Sequence, residues 1–223
     1  MEYDTVSKEV LTAARYLRET KPAYWVSSDL PWRVRRTPYR VFLAEFLLVR
    51  TRTDLVAAQF ERIVSKYPTV QHLSEAGEKE IEEVLYPLGL LKRARYLLKA
   101  ARYLAEKHRG EIPSRFQELI RIPGMGLYTS AAVMAFAFQA PDVPADVNIL
   151  RFLSRITGLP MGHPTKGSIE LHRLLPALSQ VEGGPDPETL LDFTRTICRT
   201  RKPRCFECPV SSQCIYFREQ GGI

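Results

Sequence analysis

Two stretches of this chain are too apolar to lie on any surface. "YRVFLAEFLLV" (39–49) carries one acid and one arginine among aliphatic and aromatic residues, and "LYTSAAVMAFAFQ" (127–139) is nearly all apolar. Both have helical length. A helix that is apolar on every side must be enclosed by other elements. Segments able to enclose them are present. "EVLTAARYLRE" (9–19), "TDLVAAQFERIVSKY" (53–67) and "LLKRARYLLKAARYLAEKH" (90–108) repeat apolar residues at three- and four-residue spacing, the period of an amphipathic helix. "NILRFLSRITG" (148–158) ends on a glycine stop, and "PETLLDFTRTIC" (187–198) runs into the first cysteine. Thr53 is placed to cap the helix that follows it. No stretch alternates with period two between hairpin turns, and prolines fall between the helical segments. The expected fold class is all-α. A Pro-rich connection at "QAPDVPADVN" (139–148) suggests a boundary.

The chain carries a net charge of +7 with 45% hydrophobic residues. It can bury one large core or two small ones, and its excess of cations suits a polyanion. No apolar run approaches the roughly 18 residues of a membrane span. The N-terminal "MEYDTVSKEV" lacks the basic and apolar regions of a signal peptide, so a cytoplasmic, nucleoid-associated protein is expected. The cations cluster. Arg33, Arg35, Arg36, Arg40, Arg50 and Arg52 form one group; Lys92, Arg93, Arg95, Lys99 and Arg102 a second; Arg199, Arg201, Lys202 and Arg204 a third. They read either as solvated helix faces or as a surface that tracks phosphates. The histidines (His72, His108, His163 and His172) are scattered and show no ligand spacing.

All four cysteines fall within residues 198–214, spaced Cys198-x6-Cys205-x2-Cys208-x5-Cys214. Such a set can form disulfides, bind zinc or bind an iron–sulfur cluster. A cytosolic setting disfavours disulfides. Four-thiolate zinc sites usually use two well-separated CxxC pairs, and this chain has one. A single compact loop supplying four thiolates suits the larger iron–sulfur cube better, with zinc the alternative.

Two further strings carry chemistry. In "LIRIPGMGLYTSAA" (119–132), Pro123, Gly124, Met125 and Gly126 form a tight turn between helical stretches. Glycines there allow close approach of backbone or ligand, and a helix starting near Leu127 aims its free N–H groups past the turn, where phosphate is a natural occupant. A plain αα-turn with a glycine cap accounts for the same residues. In "PDVPADVNILRF" (141–152), Asp146 precedes a helix over 148–157 and reads first as an N-cap.

Together these strings resemble the helix-hairpin-helix DNA glycosylases, the superfamily of endonuclease III and MutY, over roughly residues 28–218. The cysteine spacing is similar to that superfamily's cluster loop, which implies a four-iron, four-sulfide (4Fe–4S) cluster on Cys198, Cys205, Cys208 and Cys214 that staples the loop. Arg201 and Lys202 would then face the DNA backbone. "IPGMGLYTSAA" resembles the superfamily's hairpin, implying DNA contact at Pro123–Gly126. Asp146, Asn148 and Arg151 match the string that carries the catalytic aspartate, while Ala145, Ile149 and Phe152 depart from it conservatively. Asp142 lies too early for that match and is the weaker candidate.

The resemblance implies two helical lobes, a barrel over 29–140 and a cluster lobe of 1–28 plus 141–223, with the active cleft between them. It also implies a monomer acting on double-stranded DNA that contains a mismatch. Endonuclease III-type enzymes place a nucleophilic lysine where this chain has Tyr128, so a monofunctional enzyme without lyase activity is expected. "LPWRVRRTPYRVFLAEFLLVRTRT" (30–53) resembles MutY-type adenine glycosylases and thymine/mismatch glycosylases. It puts Glu45 on their second active-site carboxylate, though a lone Glu facing a polar neighbour is also possible. It puts Arg50 where a side chain fills the gap left by the extruded nucleotide. An arginine at 50, the "DF…IC…RKPRC" string and a chain ending nine residues after Cys214, where MutY-type enzymes carry an 8-oxoguanine-reading domain, favour the thymine enzymes. The expected activity is hydrolysis of thymine or uracil opposite guanine. Its rivals are MutY-like removal of adenine from A·G or A·8-oxoguanine pairs, a non-catalytic mismatch binder, and an iron–sulfur redox protein that would leave the hairpin unexplained.

Overall fold

The computed structural model describes residues 3–19, 29–89, 91–140, 144–163, 174–175, 178 and 187–221. Asp142 and His172 lie outside them, as does the middle of the Pro-rich connection. The described residues are helical with no β-strand, and no helix among them is long and apolar enough to cross a membrane. Contacts divide the chain into two units, Ser28–Ala140 and the pair Met1–Ser27 with Pro141–Ile223.

The first unit is built around α3 (Pro38–Leu48). Thr37 caps it by accepting the Arg40 N–H at 3.2 Å, and Pro38 occupies the first turn, where its missing donor costs nothing. Every residue from Val41 to Leu47 is buried, as its all-round apolarity requires. It packs against α4 (Thr53–Lys66) and α9 (Leu127–Phe138). The short α2 (Pro31–Val34) contributes Trp32, which meets Phe60 of α4 edge to face at 5.2 Å. The short α5 (Val70–Glu75) and α6 (Glu78–Leu85) pack on α7 (Leu91–His108). α7 buries Ala94, Leu97, Leu98, Ala101 and Leu104, one stripe at helical spacing. α8 (Phe116–Leu119) leads into the glycine turn before α9.

The helix over 53–67 forms, but Thr53 is its first residue and not its cap. Arg52 holds the N-cap position with extended backbone, and its guanidinium binds Asp54 in the first turn. An acid there suits the positive helix end.

In the second unit, α1 (Tyr3–Glu19) buries Val10, Ala13, Ala14 and Leu17 and lies on α10 (Val147–Thr157). α10 turns Ile149, Leu150, Phe152, Leu153 and Ile156 inward, and Gly158 ends it with φ +70°. The positive φ favours glycine, and a Cβ at Gly158 would also stand a tight 3.1 Å from Ile215 of α12 (Ile215–Glu219). α11 (Pro187–Thr196) packs on α10 through Phe193, edge to face with Phe152 at 5.3 Å. Between α11 and α12 runs the cysteine loop, with short 3-10 turns at Cys205–Glu207 and Ser211–Gln213.

Candidate functional site

The glycine turn is pressed onto its own unit. Gly124 has φ +84°, and a Cβ there would sit 2.9 Å from the Phe46 ring and 3.0 Å from the Tyr96 Cβ. No side chain fits this position. Met125 belongs to the core, so the exposed backbone at Gly124 and Gly126 is what this part of the turn offers to solvent. α9 begins at Leu127 as the sequence suggests, with Gly126 at its N-cap and no side chain capping it. Tyr128 is half-buried on its first turn. Glu45 is buried at 6% exposure, the single acid of α3. Arg50 is exposed and holds φ +59°, a conformation that non-glycine residues adopt rarely and that recurs at functional sites.

Asp146 caps α10, accepting the Asn148 N–H on Oδ1 at 2.6 Å. The cap is also the first of several polar contacts running inward. Asn148 Oδ1 accepts from Arg151 Nη1 at 2.9 Å. Arg151 Nη2 reaches the Thr194 carbonyl at 2.9 Å and the Cys198 carbonyl at 2.8 Å, and its Nε reaches Cys198 again at 3.1 Å. Burial lowers the Arg151 pKa, while the neighbouring Cys198 and Asp146 act against that. The three matched positions of the "DVNILR" string are therefore one connected unit that ties Asp146 to the start of the cysteine loop.

One turn later, Arg155 binds the Arg199 and Thr200 carbonyls at 2.7 and 3.2 Å and donates to Cys198 Sγ at 3.4 Å. Its guanidinium also lies 4.6 Å from the Tyr216 ring centroid, within cation–π range. Sequence reasoning missed Arg155. Its only signal was the four-residue spacing from Arg151, which places both on one face of α10.

Cys198, Cys205, Cys208 and Cys214 line a single cavity with Phe152, Arg155 and Phe193, and none is in a disulfide. Among the described residues, no group of three or more His, Cys, Asp or Glu side chains is arranged to hold a metal ion. A lone zinc needs its four sulfurs about 2.3 Å from one point; a four-iron cube is a wider body. Burial pushes the Cys208 thiol up to about 12, and burial likewise raises Cys205 and Cys214. The donor set, the shared cavity and the Arg155 guanidinium at one sulfur fit an anionic iron–sulfur group. Arg201 and Lys202 are exposed on this loop, Lys202 at φ +48°.

The two readings of the cation clusters divide residue by residue. Arg40 is buried, paired with Glu61 and donating to the Pro31 carbonyl at 2.9 Å. Arg36 binds the Phe136 carbonyl near the end of α9 at 3.0 Å, Arg95 pairs with Glu78, and Arg102 holds the Ser74 carbonyl at 3.2 Å. These serve the fold or solvated faces. Arg50, Arg201 and Lys202 have no carboxylate partner among the described residues.

Residues 43–177 match the family described as HhH-GPD superfamily base excision DNA repair protein. The chain belongs to that family. It is 32% identical over 203 residues to the thymine-DNA glycosylase of Aeropyrum pernix, covering 85% of this chain and 87% of that one. It is 32% identical to the thymine/uracil-DNA glycosylase of Methanothermobacter thermautotrophicus, covering 86% and 87%. An adenine DNA glycosylase of Buchnera aphidicola is 27% identical over 87% of this chain, which spans 57% of that protein. Among solved structures, a thermostable thymine-DNA glycosylase superposes with a TM-score of 0.77 at 27% identity over 97% of both chains. An endonuclease III–DNA complex gives the same TM-score at 22% identity and shares the fold.

Proposed function

We propose that the protein is a monofunctional DNA glycosylase that removes thymine or uracil mispaired with guanine, acting as a monomer on duplex DNA. The observation that carries this reading is Asp146, held by one oxygen at the start of α10 in a chain of this repair family. Similarity to two thymine glycosylases across nearly the whole chain supports the choice of base.

The reaction breaks the bond between the sugar C1′ and the base nitrogen. The bonding electrons leave with the base, which takes up a proton, and positive charge builds at C1′. A carboxylate beside that carbon stabilises the cation. Oδ1 of Asp146 is committed to its own helix, so Oδ2 is the oxygen assigned to the sugar and to the water, whose oxygen then bonds C1′ as it gives up a proton that balances the one taken by the base. Glu45 is assigned to the water or the extruded base, and Arg50 to the gap left in the stack. A mispaired base is the least costly to extrude. Tyr128 supplies no amine, so no imine forms on C1′ and the strand stays intact beside the abasic sugar.

Cys198, Cys205, Cys208 and Cys214 are assigned to a 4Fe–4S cluster. When bound, it supplies four covalent anchors that fix the loop. Arg151 and Arg155 hold that loop's first carbonyls from α10, and Arg201 and Lys202 are assigned to the DNA backbone.

A duplex panel tests the assignment: T·G, U·G, A·G and A·8-oxoguanine pairs, each incubated with protein and split by alkali. Cleavage of T·G and U·G only after alkali is expected. Cleavage of the adenine duplexes alone would make it an adenine enzyme, and binding without cleavage a silent mismatch reader.

A further inference from the structure

We infer that Arg93 and Tyr96, one helical turn apart on α7, form a seat for a backbone phosphodiester of duplex DNA beside the glycine turn. This rests on the proposed reading that the turn meets DNA, and extends it to two residues that reading does not use.

Arg93, Tyr96, Phe46, Gly124, Met125 and Gly126 line one open depression. Its floor is closely packed: the Gly124 backbone lies against Phe46 and Tyr96 with no room for a Cβ. Arg93 is fixed at its rim. Its Nη1 donates to the Phe46 carbonyl, one of those left unpaired at the end of α3, and its guanidinium lies 5.7 Å from the Phe46 ring centroid. The remaining N–H groups of the fork have no hydrogen-bond partner among the described residues.

No carboxylate among the described residues pairs with Arg93, in contrast to Arg40, Arg52 and Arg95. Its electrostatic neighbour is a second cation. Burial lowers the Arg93 pKa, and the charge of Arg50 lowers it further. Arg93 is half-buried and feels the like charge of the exposed Arg50, and an anion beside Arg93 offsets both the desolvation and the repulsion. Tyr96 is 53% exposed and adds a hydroxyl donor beside an aromatic face. The bare backbone at Gly124 and Gly126 lets a bulky phosphate come close. A single negative charge with neighbouring sugar surface matches this mix of cation, hydroxyl and ring, and the duplex backbone is the anion that the rest of the surface serves.

The test is equilibrium binding of the full chain to a duplex with and without a T·G pair, at a series of salt concentrations. Arg93→Gln removes a phosphate contact, so the slope of log affinity against log salt should fall by about 0.9. Lys99→Gln removes the same charge from another face of α7 and should leave the slope at the wild-type value. Arg93→Lys should keep the slope and weaken binding, and Tyr96→Phe should weaken it roughly 2- to 10-fold. Thermal unfolding of each variant checks that it is folded, and if Arg93→Gln is not, the Lys99, Arg93→Lys and Tyr96→Phe comparisons decide. Equal slopes for Arg93→Gln and Lys99→Gln, or unaltered binding by Arg93→Lys and Tyr96→Phe, would overturn the seat. Wild-type base release is assayed in parallel. Base release with no Arg93 effect removes this inference alone. An Arg93 effect without base release removes the glycosylase reading and leaves the seat.

Discussion

Arg151 holds the Cys198 carbonyl with two donors, Nε at 3.1 Å and Nη2 at 2.8 Å, while its Nη1 supports Asn148 at the base of the Asp146 cap. One side chain thus links the start of the cysteine loop to the residue assigned to catalysis. Truncation to alanine strips the donors from the Cys198 and Thr194 carbonyls at once. An unsatisfied buried acceptor costs about 1–3 kcal/mol, and 1 kcal/mol lowers the Tm of a chain this size by about 2–4 °C. Arg151→Ala should lose stability of that order and bind less iron per chain. Arg151→Lys, which keeps the charge without the fork, should fall between. Full iron content and wild-type Tm in Arg151→Ala would show that this link holds nothing.

Removal of the cluster assigned to the four cysteines gives a related expectation. Cys208 sits among raised thiols, so in the metal-free state protons occupy the site. Iron must displace them, and acid favours their return. Iron content after equilibration should therefore drop as pH falls, and stripped protein should melt at a lower temperature. A stripped protein of unchanged Tm would deny the cluster a structural role.

How much of this was legible beforehand follows from the kind of interaction involved. The burial of α3 is written in composition, since a helix without a polar face has nowhere else to go; α9 departs from that expectation, with one face buried, Leu127 exposed and Met134 and Phe138 half-buried. The cysteine loop is legible by spacing. Asp146 answers to its reading as an N-cap, and the oxygen that the cap leaves over is the one assigned to chemistry. What Arg36, Arg40, Arg93 and Arg155 do was not legible. Each binds a carbonyl or carboxylate brought near by tertiary packing, between 21 and 100 residues away in the chain, and no local period encodes that. Thr53 failed as a cap because its neighbour Arg52 holds that position.

Arg40 supplies a pH prediction. Its hydrogen bond holds the Glu61 carboxyl below the usual range. A carboxyl with a lowered folded pKa contributes stability above its unfolded value and loses it as pH falls through the folded one. The unfolded value is about 4.3, so the contribution is present at neutral pH and fades below about pH 4. Glu61→Gln should lower Tm at pH 7 by a few degrees and flatten the decline below that point. Glu61 is half exposed, which keeps the effect modest. Parallel Tm-versus-pH curves for the two proteins would refute the pairing.

Tyr128 offers a gain-of-function test. Tyr128→Lys returns an amine to the first turn of α9 and should add a slow strand-nicking activity, trapped by borohydride as a covalent protein–DNA adduct. A variant that still releases base but traps nothing would count against Tyr128 as a neighbour of C1′.

The central claim is that the Asp146 carboxylate drives base release, and Asp146→Asn tests it without disturbing the fold. Asparagine caps a helix about as well as aspartate, so the contact with the Asn148 N–H survives and Tm should stay close to wild type. The measurement is single-turnover base release from the preferred mismatch at saturating protein, beside duplex binding by the same preparation. Binding should stay within a few-fold of wild type while release slows by at least about 10³-fold, a barrier change of about 4 kcal/mol. Release at the wild-type rate from a folded Asp146→Asn protein would contradict that claim.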